Sequence, residues 1–402
     1  MTGDPPGTGD LLLVSGHRWL NVCRLALAAR EAGFAPHLLG PRKHPIASLP
    51  WLRTAGDLAA LWPARSIARA LAEREYDLVV PTDDVAAAAV FEAHRRGLLD
   101  ARGRRVVERS LGDPRSFGIR HSRAAIGGVA LTAGVVAPLT LPVPDVAALG
   151  PAAERVGFPA VLKTDGSCAG MSVALVRDPA EAEAAFHRLA APPRIAESIG
   201  RQVLDHDPSY LGPALRRQAS PVSIQRYVAG TQMTLTVAAW RGEVIGAVGF
   251  RAISSRPGNG PATVVEPVSH PDMDFAAEAL ARELGLSGLF GLDFIVSPDG
   301  TTASLIELNP RATPTAHLAP ARSGAPLLER LAARLERRPP RATGTVPAGP
   351  IELFPRLGPE ELGAAPGDAY LDLPPDADVV ELCRAMAQPH SAPLAELIRR
   401  VF

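Results

Sequence analysis

Short apolar runs alternate with amphipathic stretches through the first quarter of the chain. Three of the runs predict buried strands, over residues 10–14, 34–39 and 76–81. Helical patterns lie between and after them, over residues 18–32, 67–75 and 84–96. Strands that alternate with helices are typical of a doubly wound α/β sheet, so the pattern predicts such a domain over residues 1–112.

The pattern changes to two apolar runs around residue 300. Residues 289–296 and 304–308 flank a Ser-Pro-Asp-Gly turn signal, which predicts a β-hairpin. Each strand carries one carboxylate among apolar residues, Asp293 and Glu307. A carboxylate withdrawn from water needs a cation, and two of them beside the amide oxygen of Asn309 suit Mg²⁺. The alternative interpretation is an ordinary hairpin whose acids face water.

A lysine followed by a glycine-rich loop marks another unusual segment. A predicted strand over residues 157–163 ends in Lys163, and the loop before the next strand contains Gly166 and Gly170. Glycine lets backbone amides approach phosphate oxygens closely, and the ammonium adds charge. Of 42 basic residues only Lys43 and Lys163 are lysines. Where so arginine-rich a chain keeps a lysine, we expect that the ammonium is chemically required.

The run Glu307-Leu308-Asn309-Pro310-Arg311, with Asp293 upstream, resembles the metal-binding hairpin of the ATP-grasp superfamily. Three further segments match that superfamily in order. They are Arg123 near the start of a helix over residues 121–133, Lys163 with its glycine loop, and a strand that runs into a turn over residues 222–230. The resemblance covers about residues 10–340 and rests on all four parts together.

The resemblance implies an α/β fold of the α+β ATP-grasp kind in three parts. The first is an N-terminal doubly wound domain that precedes the ATP-grasp unit, over residues 1–112. The ATP-grasp domain follows over residues 113–340 and contains a mobile lid at about residues 155–230. Residues 341–402 form a C-terminal appendage. Within the lid, residues 192–221 are rich in Pro, Arg and Gln and predict an insertion or a partly ordered loop.

The resemblance also implies roles for individual residues. Those expected to bind ATP are Arg123, Lys163, Gly166, Ser167, Gly170, Gln225, Arg226, Tyr227, Val228 and Gln232. Those expected to hold Mg²⁺, with Mn²⁺ as the alternative, are Asp293, Glu307 and Asn309. Those expected to take part in catalysis are Arg311, Lys163 and Arg251. The adenine contacts would come from the backbone of the strand, and the ribose contact from Gln232.

Two positions have two readings, and a third differs from the residue usual in the superfamily. The superfamily usually has lysine where this chain has Arg123, whose guanidinium either clamps phosphate through its fork or is an ordinary surface arginine. It also usually has an acid where this chain has Gln225. The segment Thr82-Asp83-Asp84 follows a predicted strand, where α/β sheets place ligands. It is either a helix N-cap or a contact for the acceptor substrate.

Composition narrows the classes of partner. The 402 residues carry 42 basic and 42 acidic side chains, so the net charge is zero and nothing favours a nucleic-acid or membrane partner. The three cysteines, Cys23, Cys168 and Cys383, are far apart and predict reduced thiols in a cytoplasmic protein. Cys168 is interpreted as a small loop residue, since no histidine stands near it in sequence. A homodimer is left open.

The resemblance implies an ATP-dependent ligase. ATP would phosphorylate a small carboxylic acid to an acyl phosphate, with release of ADP, and an amine, amino-acid or peptide-like, would then attack it. Two related alternatives are a carboxylate–thiol ligase and a carboxylating or carbamoyl-type enzyme. An alternative of another class is a non-catalytic ATP-binding regulatory module.

Overall fold

Three β-sheets with helices on their faces make up the computed structural model. The structure describes residues 9–165, 173–204, 207, 209–255, 262–318, 324–342, 349–354, 369–372 and 376–387. Within these ranges it confirms the mixed α/β class expected from the sequence. No helix in the ranges just given has the length and apolar character needed to cross a bilayer.

The N-terminal sheet has four parallel strands in the order β3-β2-β1-β4. The strands are β1 (Gly9–Val14), β2 (Phe34–Gly40), β3 (Arg53–Asp57) and β4 (Leu78–Pro81). The helices are α1 (Val22–Glu31), α2 (Pro63–Glu73), α3 (Asp84–Arg95) and α4 (Ala101–Leu111). The strand order reverses between β1 and β4, and ligands of open α/β sheets bind at such a point.

The second sheet lies in the region expected to be the lid. Its four antiparallel strands have the order β5-β8-β6-β7. They are β5 (Thr140–Val143), β6 (Ala160–Thr164), β7 (Val173–Val176) and β8 (Val222–Arg226). The helices before and around them are α5 (Phe117–Arg120), α6 (Arg123–Thr132), α7 (Val146–Val156), α8 (Pro179–Ala190), α9 (Ile195–Leu204) and α10 (Leu211–Leu215).

The prediction of a partly ordered loop over residues 192–221 is wrong where the structure describes that segment. Helices α9 and α10 lie there instead. Three apolar residues of α9, Ile195, Ile199 and Val203, are spaced four apart, which is a helical period. The many Pro, Arg and Gln residues around them hid that spacing.

The third sheet has seven strands in the order β13-β12-β9-β10-β11-β14-β15. They are β9 (Thr231–Trp240), β10 (Glu243–Ser255), β11 (Ala262–Val268), β12 (Gly288–Val296), β13 (Ala303–Asn309), β14 (Ile351–Glu352) and β15 (Tyr370–Leu371). The helices are α11 (Pro271–Glu283), α12 (Leu327–Glu336) and α13 (Ala377–Ala387). The predicted β12–β13 hairpin is therefore present, and it forms one edge of the sheet.

One hydrophobic core joins the N-terminal sheet to the third sheet. It contains Leu11 of β1, Phe250 of β10 and Leu331 of α12, together with Val379 of α13. The C-terminal segment thus completes a shared core. A buried ionic contact strengthens this attachment, because the carboxylate of Asp372 accepts hydrogen bonds from Arg24 of α1 and from His317, the latter at 2.9 Å.

We expect Asp372→Ala to lower the free energy of unfolding by about 3 kcal/mol, because it removes the shared carboxylate from a buried guanidinium and imidazole. Equilibrium urea unfolding measures this. The exposed Asp378 of α13 provides a control, since Asp378→Ala should change the value by less than about 0.5 kcal/mol. Equal, small effects in both variants would mean that this ionic contact does not hold the C-terminal segment.

Candidate functional site

The β12–β13 hairpin places Asp293 directly across from Glu307. The pairing then shifts by one residue, because Phe294 pairs with Leu305 and Ile306 is left as an extra residue on β13. Such a bulge re-aims the side chains that follow it. It allows Leu305 and Leu308, three residues apart, to be buried in the same core while Glu307 between them turns to Asp293.

The two carboxylates lie in different surroundings. Asp293 accepts hydrogen bonds from Thr234 Oγ1 at 2.7 Å and from Asn309 Nδ2 at 2.9 Å. Burial raises the pKa of Asp293, and the negative charge of Glu307 raises it further. Glu307 forms an ion pair with Arg123, at 2.8 Å between Oε1 and Nη2. Two acids this close together, of which Asp293 has a raised pKa, need nearby cations.

Residues from two other elements supply these cations. Arg123, the first residue of α6, has only 9% of its side chain exposed. Lys163 of β6 is 5% exposed, and burial lowers its pKa to about 8 although Glu307 and Asp293 act in the opposite sense. The backbone amide of Arg123 donates to Asp165 Oδ1 at 3.0 Å, which ties the start of α6 to the end of β6. The structure thus brings Arg123, Lys163, Asp293 and Glu307 together, as the sequence predicted.

Arg311 connects this cluster to the N-terminal sheet. Its Nη2 donates to Asn309 Oδ1 at 3.2 Å and lies 3.5 Å from Asp84 Oδ2, at the start of α3. The next residue, Ala312, donates its amide to the carbonyl of Pro81 at the end of β4, at 2.9 Å. The end of the β12–β13 hairpin therefore lies against the carboxyl end of β4, where ligands of α/β sheets bind.

The donor set fits a hard divalent cation only in part. Two adjacent carboxylates are suitable oxygen ligands, but the amide of Asn309 points its nitrogen to Asp293 and its oxygen to Arg311. To bind a cation beside Asp293, that amide would have to turn over. Among the described residues, no group of three or more His, Cys, Asp or Glu side chains could hold a metal. A cation here would need further oxygens from phosphate or water, as Mg²⁺ commonly does.

The strand expected to bind adenine is partly occupied by internal contacts. The side chain of Gln225 is buried and donates to Thr140 Oγ1 at 2.9 Å and to the carbonyl of Ile306 at 3.4 Å. The amides of Arg226 and Tyr227 donate to Leu139 and Pro159 at 2.9 and 3.3 Å. The N–H of Arg226 is thus already used within the protein, and adenine contacts by the backbone of this strand stay a prediction. Val228 is partly buried and Gln232 is exposed, and their nucleotide contacts stay predictions.

The structure does not bring Arg251 to the cluster. Asp293 pairs with Thr234 and Thr234 pairs with Phe250, so these three side chains project from one face of the sheet. Arg251 follows Phe250 and projects from the opposite face, where it forms an ion pair with Glu266. The expected catalytic role of Arg251 is corrected accordingly. Gly166, Ser167 and Gly170 lie outside the described residues.

Sequence reasoning missed a buried ionic network at the reversal point of the N-terminal sheet. Asp83 caps α3 through the amide of Ala86 at 2.9 Å, as predicted, but it also accepts from the amide of Gly16 at 2.6 Å. The ring of His17 lies between Asp83 and Asp207, at 3.5 and 3.2 Å. Asp207 is distant from His17 in sequence and stands in the segment expected to be a loop. No local sequence pattern therefore predicts the contact between them.

This network keeps His17 charged. Burial alone would lower the pKa of His17, but the hydrogen bonds and charges of Asp207 and Asp83 raise it to about 9. The same contacts, with those of Ser209, lower the pKa of Asp207 to about 2 against the effect of burial. A protonated imidazole therefore ties the α9–α10 connection to the turn after β1.

Solved structures with a similar fold include ligases and carboxylases. N5-carboxyaminoimidazole ribonucleotide synthetase from Thermus thermophilus aligns with a TM-score of 0.56 and 18% identity, over 83% of this chain and 80% of that one. The biotin carboxylase domain of 2-oxoglutarate carboxylase from Hydrogenobacter thermophilus, in complex with MgADP, ADP and bicarbonate, aligns with 0.58 and 14%, over 83% and 71%. L-amino acid ligase from Bacillus licheniformis aligns with 0.54 and 12%, over 81% and 74%.

At these identities the likeness shows a shared fold. No protein-family model matches the chain, and no curated protein matches it.

The stability that His17 contributes should fall as the pH rises through about 9. Its pKa in the folded protein, about 9, exceeds the ordinary value of 6.5, so the contribution is complete below pH 6.5 and is lost progressively above it. Urea unfolding of the wild type and His17→Gln between about pH 6 and about pH 10 tests this, and the difference in unfolding free energy should shrink at high pH. A difference independent of pH would contradict a charged His17.

Proposed function

We propose that this chain, which has the ATP-grasp fold shared with the structures above, is an ATP-dependent ligase that joins a carboxylic acid to an amine. The observation that carries the proposal is the Asp293–Glu307 pair with Arg123, Lys163 and Arg311 around it. Such an arrangement suits a reaction that concentrates phosphate charge at one point. The proposed products are the amide, ADP and phosphate.

The reaction proceeds in two displacements. A carboxylate oxygen of the acid attacks the γ-phosphorus of ATP, the bond to the bridging oxygen breaks, and ADP leaves. The amine then attacks the acyl carbon and phosphate leaves with the electron pair of the C–O bond. Phosphoryl transfer depends mainly on positioning and charge neutralisation, so the protein needs cations in fixed places more than it needs a nucleophile.

Two cations of the cluster, Lys163 and Arg123, are proposed to neutralise the phosphate charge. Lys163 is buried at the end of β6, and with a pKa of about 8 it is mostly protonated at neutral pH. Arg123 is proposed to exchange Glu307 for phosphate oxygens, which its planar fork can bind through two donors. When bound, Mg²⁺ would neutralise phosphate charge, with Asp293, Glu307 and, after its amide turns, Asn309 as the protein ligands.

Arg311 is proposed to orient the carboxylate that reacts. It lies between the end of the hairpin and Asp84 of the N-terminal sheet, so it faces both the phosphate side and the substrate side of the site. A guanidinium there can hold a carboxylate and later stabilise the charge of the acyl phosphate.

A carboxylating reaction is the second candidate. Two of the three structures compared above are named for carboxylation, and one of them was crystallised with bicarbonate. In that case bicarbonate would take the place of the organic acid as phosphoryl acceptor. ADP release that depends on bicarbonate, without any organic acid, would favour this candidate.

The remaining parts of the proposal concern partners and location. The substrates are a small-molecule acid and an amine, amino-acid or peptide-like. The chain is proposed to act in the cytoplasm, and a homodimer is one assembly to test, because the biotin carboxylase domain named above was crystallised as a dimer.

We expect acid-dependent release of ADP and phosphate, without AMP, when the protein is given MgATP and a panel of acids and amines. Glu307→Gln and Asp293→Asn should each lower turnover by at least about 10²-fold, since each removes a negative charge that would hold Mg²⁺ against the phosphates. Asp299→Asn, in the exposed turn of the same hairpin, is the matched control and should leave turnover unchanged.

Other outcomes separate the alternatives. AMP and pyrophosphate would contradict acyl-phosphate chemistry. ATP binding without ADP release under any acid would favour a non-catalytic regulatory module.

Lys163→Arg should be nearly as damaging as Lys163→Ala, with turnover reduced by about 10²-fold. The site is closely packed around Lys163, and the wider guanidinium cannot reproduce the point contact of an ammonium. Lys43→Arg is the control, because Lys43 is the other lysine of the chain and is exposed. Wild-type kinetics in Lys163→Arg would show that Lys163 does not contact phosphate.

A further inference from the structure

A second cavity lies at the carboxyl edge of the N-terminal sheet, beside the ionic network of His17. Its volume is about 300 Å³, which is the lower end of the range for small-molecule pockets. The ends of three parallel strands line it, through Gly16 after β1, Arg42 after β2 and Asp57 of β3. Open α/β sheets bind their ligands at this edge. The reversal point itself is filled by His17, so the open space lies one strand further along.

The charges of this cavity form a specific set. Arg18 and Arg42 contribute two guanidinium groups, and Asp57 contributes one carboxylate. The side chain of Arg18 donates to the backbone carbonyl of Arg42, which fixes the turns after β1 and β2 to each other. Two guanidinium groups on one cavity suit a carboxylate, and the acid on β3 suits a cationic group on the same ligand.

Most of the remaining lining is apolar. Leu58 is buried, and Ala60, Pro63 and Val85 complete the wall. This apolar wall indicates a ligand with an apolar part.

Helix α9 covers the cavity through Gln202. The Oε1 atom of Gln202 is buried, and none of the described residues donates a hydrogen bond to it. A buried polar oxygen without a donor is costly and is normally satisfied. The ion pair of Asp207 with His17 holds the chain just after α9 in place, so the position of Gln202 is fixed by the fold.

We propose that this cavity binds an α-amino acid with an apolar side chain. Arg18 and Arg42 bind its carboxylate, Asp57 binds its ammonium, and the wall of Leu58, Pro63 and Val85 packs against its side chain. Gln202 accepts a further hydrogen bond from the ligand. The assignment of this amino acid as a substrate rests on the proposed ligase function, whereas its binding does not.

The cavity is adjacent to the proposed catalytic site. Val85 lines the cavity, and the residue before it in α3, Asp84, forms the ion pair with Arg311. The first turn of α3 therefore separates the amino acid from the hairpin. A ligand seated against Val85 would therefore lie one residue of α3 away from the Asp84–Arg311 ion pair.

Isothermal titration calorimetry without nucleotide tests the proposal directly. The probes are L-leucine and L-phenylalanine, with leucinamide and 4-methylpentanoate as analogues that lack one charge. We expect saturable binding of both amino acids and at least about tenfold weaker binding of both analogues, since each analogue loses one charge-assisted hydrogen bond. Arg42→Gln should weaken leucine at least about tenfold but leave leucinamide unchanged, because leucinamide has no carboxylate to lose.

Asp57→Asn provides the complementary test, and should weaken leucine but not 4-methylpentanoate. The control is Arg53→Gln, an exposed arginine of β3 that does not line the cavity, and it should bind leucine like the wild type. Thermal melts of each variant check that the fold is retained. No saturable binding of either amino acid, or leucine binding as tight as in the wild type in both Arg42→Gln and Asp57→Asn, would overturn the proposal.

The outcome is independent of the ligase reaction. Amino-acid binding that depends on Arg42 and Asp57, without acid-dependent ADP release, would keep the cavity assignment and contradict the ligase. ADP release that is unaffected by both variants would keep the ligase and contradict the cavity as its substrate site.

Discussion

Two adjacent acids at the centre of this protein need cations beside them, and this need determines which side chains meet there. Asp293 and Glu307 are paired across a hairpin, and burial and mutual repulsion raise the pKa of Asp293. Like charges at this separation are unfavourable unless cations offset them. Three cations come from separate parts of the chain: Arg123 from α6, Lys163 from β6 and Arg311 from the end of the hairpin. Arg123 and Arg311 also join separate parts of the molecule, through their ion pairs with Glu307 and Asp84.

The three sheets therefore meet around one charge cluster. Asp165 ties the start of α6 to the end of β6, and Arg311 with Ala312 ties the hairpin to α3 and β4. In this arrangement Arg123 lies on Glu307. On the proposed function, phosphate would replace Glu307 as the partner of Arg123, and Mg²⁺ would replace Arg123 as the partner of Glu307. The internal ion pair would then form only when no nucleotide is bound. The His17 network is a similar case in the N-terminal sheet. There the imidazolium of His17 lies between two carboxylates and fills the point where the strand order reverses.

Local patterns allowed the hairpin and its two acids to be predicted, because the acids interrupt apolar runs close to each other in sequence. Lys163 was recognisable for a similar reason, as one of two lysines in an arginine-rich chain. The failures involve contacts that depend on register or on distant residues. Arg251 projects from the wrong face because the pairing of β10 with β9 decides its side. The edge strand β3 has no apolar run, and Asp207 reaches His17 across 190 residues of sequence. The periodicity of apolar residues does not predict the facing of Arg251, the strand β3 or the contact of Asp207 with His17.

The most direct measurement follows oxygen from the substrate to the released phosphate. An acid that supports ADP release is labelled with ¹⁸O in its carboxylate, and the phosphate product is examined by ³¹P NMR. Formation of an acyl phosphate moves one labelled oxygen onto phosphorus, so the account predicts phosphate that carries a single ¹⁸O and shows the corresponding isotope shift. Unlabelled phosphate, or label found in AMP, would contradict the assignment of the Asp293–Glu307 cluster to carboxylate activation through an acyl phosphate.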